Sequence, residues 1–492
     1  MQIFRTRSVG LLATLIASVA IPNMGLAQGI DFPTTCLAEA DDLINDGLTD
    51  LHNMMYIEAE ADFTRAAEAD ANCAMAFWGV AMANFHPLWP GGPTPDETER
   101  GIAAAAALAK MSPESALEQA FSDAALAFYA PGHDGYRARI NAWADAQVSA
   151  YEANGDSIDA AAFAALARLA TAPGGPDRVK INAEVGDLLD SLHLIAPDHP
   201  GVIHYAIHAY DNPPLKGRGL RYAEIYDKTA PDAAHALHMP AHIFTRTGDW
   251  PTSIDLNRRS AEAALKVSGD IVQTHYVHAI DYMVYGHLQI GEPEKAAELV
   301  AEMMAIPNHQ PSFGGAYALA ASPLRLLLEE DKWAEAAALS KDMHSAIPWE
   351  NFPQTVAMHS FARGLGAARS GDTESAQGAV EELDALHKTM TDRGQNYWAR
   401  LTEGQILSVK AWIERAKGND DLAISLQTEA ADLEDEIGKS PVTPGHVLPA
   451  RELLGDLLRE TGQPEAAAEA YRKTLALSPN RARSIAALGQ LG

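Results

Sequence analysis

Histidine is the residue whose type and spacing in this chain point to chemistry. There are 18, and eight of them fall between positions 199 and 278. They sit at His199 and in three segments, HYAIHAYD (204–211), HALHMPAHIFTRTGDW (235–250) and HYVHAID (275–281). His204/His208 and His238/His242 are four residues apart, and His275/His278 three. On a helix such spacing puts two imidazoles on one face about one turn apart. A helix offers two ligands to one metal ion in that way. The candidate ligands are His204, His208, His235, His238, His242 and His278. Neutral imidazoles suit zinc or copper, and a contribution from Asp211 or Asp281 would suit iron or zinc. Asp281, Tyr282 or Tyr285 could then serve as an acid–base group, and Arg246 as a clamp on a substrate carboxylate. Burying an imidazole without a partner is costly, so core packing alone does not ask for this concentration. Three readings stand side by side: a transition-metal site, a metal-free binding or catalytic groove, and structural histidines bonded to backbone carbonyls. A cluster that charges together at about pH 5–6 is a further variant. Pro240 removes one helical hydrogen bond between His238 and His242, so a kink or a late helix start is expected there.

The elements that must position these rings are helices. Ala runs such as 103–106 favour helix, and alternating β-branched stretches are scarce, which argues against a β-sandwich or barrel. A recurring pattern supplies the arrangement. Leu454, Gly455, Leu458, Gly462, Ala467, Tyr471 and Pro479 resemble a tetratricopeptide repeat (TPR), in which small residues let two antiparallel helices touch. Weaker copies precede it, each a turn followed five residues later by a small side chain: Gly248/Ser253, Gly291/Ala296, Asp331/Ala336, Gly371/Ala376 and Gly418/Ala423. Their intervals of 40–47 residues exceed the TPR period of about 34, so helices or loops are lengthened. Ala59, Phe63 and Ala66 repeat the second-helix pattern near the N-terminus, with Asp70 closing it. The expected fold is all-α, an α-solenoid of stacked hairpins that each bury an apolar face against their neighbours.

The TPR resemblance also implies an orientation. With the turn glycine in the place of Gly462, His235, His238 and His242 precede Gly248 just as His278, Asp281 and Tyr285 precede Gly291. In TPR proteins those first-helix positions face the concave groove, so neighbouring repeats would aim these groups at one surface. More broadly, the segments at 47–89, 204–213, 235–250 and 449–462 resemble a group of secreted bacterial TPR-containing proteins, for which no activity is established. That likeness implies the fold and marks the same histidines. Pro/Gly clusters at 87–95, 172–177, 197–200 and 441–445 interrupt the helices. The expected organisation is a signal peptide (1–27), an N-terminal helical block (28–195), a central TPR-like array carrying the histidines (196–437) and a C-terminal TPR hairpin (438–492).

The chain's 37 Lys+Arg against 66 Asp+Glu leave a net charge of −29. Such a surface repels phosphate backbones and anionic lipid, so nucleic acid and membranes are poor partners. Arg5 and Arg7, an apolar run over 9–21 and small residues at Gly25 and Ala27 read as a secretory signal, too short to span a bilayer. A periplasmic or secreted protein is expected, and in that oxidising setting Cys36 and Cys73 are expected to pair. His52 and His86 could fold over the array as further ligands; His359 with Arg363, and His446, are weaker candidates.

The sequence holds no HExxH, GxxxxGK[ST], GxSxG or CxxC. Enzyme status therefore stays open, and two function classes remain. One is an exported metal-binding protein, with hydrolysis or oxidation of a small molecule as its chemistry. The other is a periplasmic scaffold that holds a peptide or partner protein in a groove lined by Asn, Lys and Arg.

Overall fold

Each turn singled out by the spacing is where one helix ends and its partner begins. The structure is a computed structural model that describes residues 30–89 and 92–491. Gly248, Gly291, Asp331, Gly371, Gly418 and Gly462 all take left-handed backbones, with φ from 54° to 86°. Asp331 does so without being glycine, which a short polar side chain tolerates. The residue five positions on (Ser253, Ala296, Ala336, Ala376, Ala423 or Ala467) is 0–1% exposed, because the facing helix lies directly against it.

The resulting pairs are Pro240–Thr247 with Trp250–Val267, Thr274–Gln289 with Pro293–Ala305, and Phe313–Glu329 with Trp333–Ala337. Pro353–Arg369 then pairs with Thr373–Asp392, Asn396–Ala416 with Asp420–Ile437, and Ala450–Glu460 with Pro464–Leu477. Together they form an all-α, TPR-like solenoid. The extra length over a standard repeat sits in loops such as 306–312, 338–348 and 438–449. Among the described residues the only β pairing is an isolated bridge between Val272 and His309, and no helix is long and apolar enough to cross a membrane.

At the N-terminal end, Ala38–His52 and Tyr56–Ala69 form the expected first hairpin, with Ala59, Phe63 and Ala66 fully buried. Cys36 and Cys73 are joined in a disulfide with Cα atoms 4.9 Å apart. Cys73 caps the next helix, Ala74–Ala83, so the bridge ties the N-terminal segment to the start of the third helix. The expected signal peptide lies outside the described residues. One apolar cluster runs from Ile30 to Tyr282, so packing continues across residue 195.

Two C-terminal segments return to the histidine repeats. Trp250 Nε1 donates to the Asn480 carbonyl at 3.0 Å, and Asn480 Nδ2 to the Gly248 carbonyl at 3.1 Å. A Cβ on Gly248 would lie 2.6 Å from the Pro479 carbonyl oxygen, so this turn needs glycine for space as well as for φ. The loop 438–449 is a strap laid across the array. Arg325 holds it by donating to Thr443 Oγ1 and to the carbonyls of Gly445 and His446 at 2.7–2.9 Å.

Candidate metal centre

The histidine helices meet in the interior, and the rings sort into trios. Pro240 divides the helix as expected: Ala234–His238 ends and Pro240–Thr247 starts late, with the single residue Met239 between them at near-helical angles (φ −55°, ψ −39°). His235, His238 and His242 therefore stay on one side of the helical path. His238 and His242 meet His278 from Thr274–Gln289, and each of the three brings a ring nitrogen within 4.8 Å of the others. They are 2%, 3% and 7% exposed. These imidazoles are buried in the array and do not line an open groove.

Hydrogen bonds fix which nitrogens carry protons in two of these rings. Asn257 Nδ2 donates to the Ser253 carbonyl at 2.7 Å, which turns Asn257 Oδ1 toward His238. His238 Nδ1 lies 2.6 Å from that oxygen and must be the donor. His242 Nδ1 donates to Asp211 Oδ2 at 3.0 Å. Asp211 also accepts from Arg246 Nε at 2.7 Å and has Lys439 Nζ 3.9 Å away. Burial opposes its charge, but Lys439, Arg246 and His242 outweigh burial and hold the carboxyl well below its ordinary range.

With both Nδ1 atoms protonated, the Nε2 atoms of His238 and His242 are bare, and they face each other at 2.9 Å. Two lone pairs at that distance repel unless a cation shares them. A proton is disfavoured: burial first, then His278 and His242, push His238 far below its ordinary value. Burial also lowers His242 despite Asp211, and brings His278 down to about 3. A carboxylate or amide holding the far nitrogen of a ring is the usual support behind a metal-ligating histidine.

A second trio adjoins the first. His204 and His208, on Pro200–Tyr210, bring ring nitrogens within 4.8 Å of one another and of His235. A third trio, His52, Asp159 and His199, satisfies the same distance criterion, yet hydrogen bonding saturates it. His199 Nδ1 accepts from the Val202 amide, so its Nε2 donates to Asp159 at 3.2 Å. His52 Nε2 lies 3.0 Å from the same oxygen and its Nδ1 2.9 Å from the Tyr205 hydroxyl. No imidazole lone pair is left over, so this trio is a structural brace. Through it His52 serves the site indirectly, its carbonyl accepting from His204 Nδ1 at 2.6 Å.

The other candidates fall in several places. Asp281 is fully buried against Arg325 (3.0 Å) and Ser322 (3.1 Å). Tyr285 accepts from Arg481 at 3.2 Å. Arg246 is engaged with Asp211. Tyr282 stands edge-on to His238, with ring centroids 4.7 Å apart, and donates to the Pro441 carbonyl. His275 packs beside His235, and His86 packs on Tyr56 near Glu97. His446 lies in the strap, 3.6 Å from Glu434. His359 and Arg363 sit on the separate helix Pro353–Arg369.

Sequence reasoning missed Asn257, Lys439 and Asp159 as supporting groups. Asn257 was visible only as a polar residue after the turn. Lys439 lies in a stretch that reads as a linker.

A cavity of about 850 Å³ borders the site and is lined in part by His208, Asp211, Arg246, Trp250, Tyr285 and Lys439. Burial lowers Lys439 to about 7, helped by Arg246 and opposed by Asp211.

The sequence matches no protein-family model and no curated protein. Among solved structures it is similar to a human IFIT1 dimer with PPP-AAAA, at 12% identity over 91% of this chain and 96% of that one, TM-score 0.40. It is also similar to the APC/C hetero-tetramer Cut9-Hcn1 (13% identity, 92% and 90%, TM-score 0.30) and to the TPR domain of P58(IPK) (10%, 92% and 97%, TM-score 0.22). Likeness at these scores adds nothing to the hairpins themselves, and it is the hairpin register that makes this chain a TPR-like helical solenoid.

Proposed function

We propose that this chain is an exported transition-metal protein with His238, His242 and His278 as its metal ligands. The observation that carries this is the facing pair of bare Nε2 atoms, 2.9 Å apart, whose partner nitrogens are both committed as donors. All-imidazole donors favour zinc or copper. Iron loses its carboxylate here, because Asp211 supports His242 from behind and Asp281 is paired with Arg325.

Three protein ligands leave a coordination position open, as catalytic zinc sites do and structural ones do not. Bound there, the metal would supply Lewis acidity or redox chemistry. The chain's own part is to hold the rings in one tautomer and keep Arg246 and Lys439 at the cavity wall. We therefore favour a metal-dependent enzyme acting on a small molecule, hydrolytic or oxidative, over a peptide-binding scaffold. The first-helix positions that a scaffold would fill with Asn, Lys and Arg hold buried His, Asp and Tyr. The nucleic acid named with IFIT1 does not carry over to a chain of net charge −29. Export is supported by the N-terminal basic-then-apolar pattern and by the Cys36–Cys73 disulfide.

Elemental analysis of untagged protein purified from its exported form tests the reading. At least one zinc or copper per chain is expected. Protein that carries no metal, and takes none up when offered zinc or copper, would refute it.

A further inference from the structure

We propose that the chain binds a second metal ion through His204, His208 and His235, and that the two ions form one dinuclear, all-histidine centre whose outer member faces the cavity. This rests on the reading of His238, His242 and His278 as a metal site, and adds to it a separate set of ligands with its own observations.

His204 is fully buried, and its Nδ1 lies 2.6 Å from the His52 carbonyl oxygen. A carbonyl only accepts, so Nδ1 carries the proton and Nε2 is bare. That bare nitrogen faces His208 Nε2 at 3.1 Å. His235 is 5% exposed, and among the described residues neither of its ring nitrogens has a hydrogen-bond partner. A neutral imidazole holds one donor and one acceptor, so leaving both unpaired in the interior is costly. Aromatic rings surround it: His204 at 5.1 Å, His275 at 5.3 Å and Trp89 at 5.7 Å between centroids. A metal ion seated against His204, His208 and His235 uses the bare nitrogen of the first and gives the third a partner. The saturated His52–Asp159–His199 brace shows that such a gathering of rings in this fold does not by itself leave nitrogens unsatisfied.

The two trios share one helical path. His235 and His238 lie one turn apart with ring centroids separated by 6.1 Å, and they belong to different trios. Their supports differ, with Asn257 and Asp211 behind the inner trio and the His52 carbonyl behind the outer one. Only His208 is partly exposed, and it borders the cavity. The outer ion is thus the one a ligand entering the cavity meets first.

The test is metal counting on the untagged full chain, loaded with zinc or with copper in a chloride buffer that supplies a small anion, and freed of unbound metal by gel filtration. Two ions per chain are expected in the wild type. His208→Gln, a conservative change at the cavity wall, should leave one, as should His235→Ala and, separately, His278→Ala. Helical circular dichroism confirms that each variant is folded. A wild-type count of one that persists in His208→Gln and His235→Ala overturns the second site and leaves the inner one standing. A count of two in those variants also overturns it, because the second ion then lies elsewhere. A wild-type count of zero removes both readings. Copper(II) loading checks the pairing: the wild type should give the electron paramagnetic resonance of a coupled pair, and His208→Gln that of an isolated ion. Isolated signals from a wild type that holds two ions would overturn the shared centre.

Discussion

Asp211→Asn replaces one oxygen by an amide, and the structure dictates which way that amide must turn. Arg246 Nε donates to Asp211 Oδ1 at 2.7 Å, and a guanidinium cannot accept, so the amide oxygen of Asn stays with Arg246. Its NH2 then faces His242 Nδ1, now 3.0 Å from Asp211 Oδ2. His242 can satisfy that donor only by moving its proton to Nε2, the nitrogen required for metal. Returning to the ligating tautomer sets two donors against each other and forfeits a charge-assisted hydrogen bond worth about 1.5–3 kcal/mol. At about 1.4 kcal/mol per tenfold, affinity should fall roughly 10- to 100-fold, the range typical of supporting residues behind a metal ligand.

The apo protein should respond differently. The lost carboxylate leaves Arg246 and Lys439 buried without their counter-charge, which costs about 3–5 kcal/mol. The new His242 Nε2–H can now bond the bare His238 Nε2, returning about 1 kcal/mol. Competition against a chelator of known zinc affinity reads the binding, and circular dichroism confirms the fold. Asp159→Asn is the control, because its brace reaches only His204, through the His52 carbonyl: it should lower stability and leave the zinc affinity of the His238–His242–His278 trio unchanged. Wild-type affinity in Asp211→Asn, or an equal loss in Asp159→Asn, would refute the tautomer reasoning.

Three further outcomes follow from particular contacts. Gly201→Ala would place a Cβ 2.3 Å from His52 Nδ1, shifting the residue whose carbonyl holds His204; metal counts should show the outer ion lost before the inner one. The Cys36–Cys73 bridge closes a 37-residue separation, so Cys36→Ser/Cys73→Ser should lose about 3–4 kcal/mol in denaturant melts, with metal binding retained. Acid should destabilise the apo protein: burial brings His208, His278 and His446 down to about 3, and His275 and His359 to about 4. These rings stay neutral in the fold while the unfolded chain protonates below about pH 6.5. Their contribution is complete above that pH and is lost as pH falls toward 4, by up to about 1.4 kcal/mol per pH unit for each ring. Glu434 and Asp50, raised by burial to about 8 and about 7, act in the opposite sense but are outnumbered. A melting temperature that is flat from pH 7 to 4.5 would count against neutral buried rings.

The hairpin register was legible because it is local. A left-handed turn and a small residue five positions on are needed wherever two antiparallel helices touch, and every such pair from Gly248 to Gly462 is where it was expected. The histidines were legible for the same reason, since spacings of three and four residues place rings on one face. Their division into trios was not, because it depends on which helices become neighbours. His235 and His238 sit on one face yet join different trios, while Asp281 and Tyr285, in equivalent repeat positions to His238 and His242, meet Arg325 and Arg481 instead. Those arginines come from 44 and 196 residues further along the chain, and no local pattern announces them. The strap at 438–449 reads as a break between elements because its prolines and glycines exclude helix. In three dimensions that irregularity lets it lie across the array and deliver Lys439 to Asp211.

The exclusion of carboxylates from the trios bears on which ions suit them. In a chain with 66 acidic residues, none supplies a ligand atom to either trio, and two buried acids that follow ligand histidines by three residues are paired with cations, Asp211 with Arg246 and Lys439, and Asp281 with Arg325. Six neutral imidazoles therefore offset none of the charge of what they bind. At low effective dielectric, two divalent ions on adjoining trios repel strongly, and the repulsion falls fourfold for two monovalent ions at the same separation. Copper in its reduced state meets that condition, whereas a zinc pair needs an anion between its members. The cavity on the His208 side is where such an anion would enter, with Arg246 and Lys439 on its wall. The absence of acidic ligands thus favours copper over zinc for the fully loaded protein, and ties zinc loading of the outer trio to the supply of a small anion.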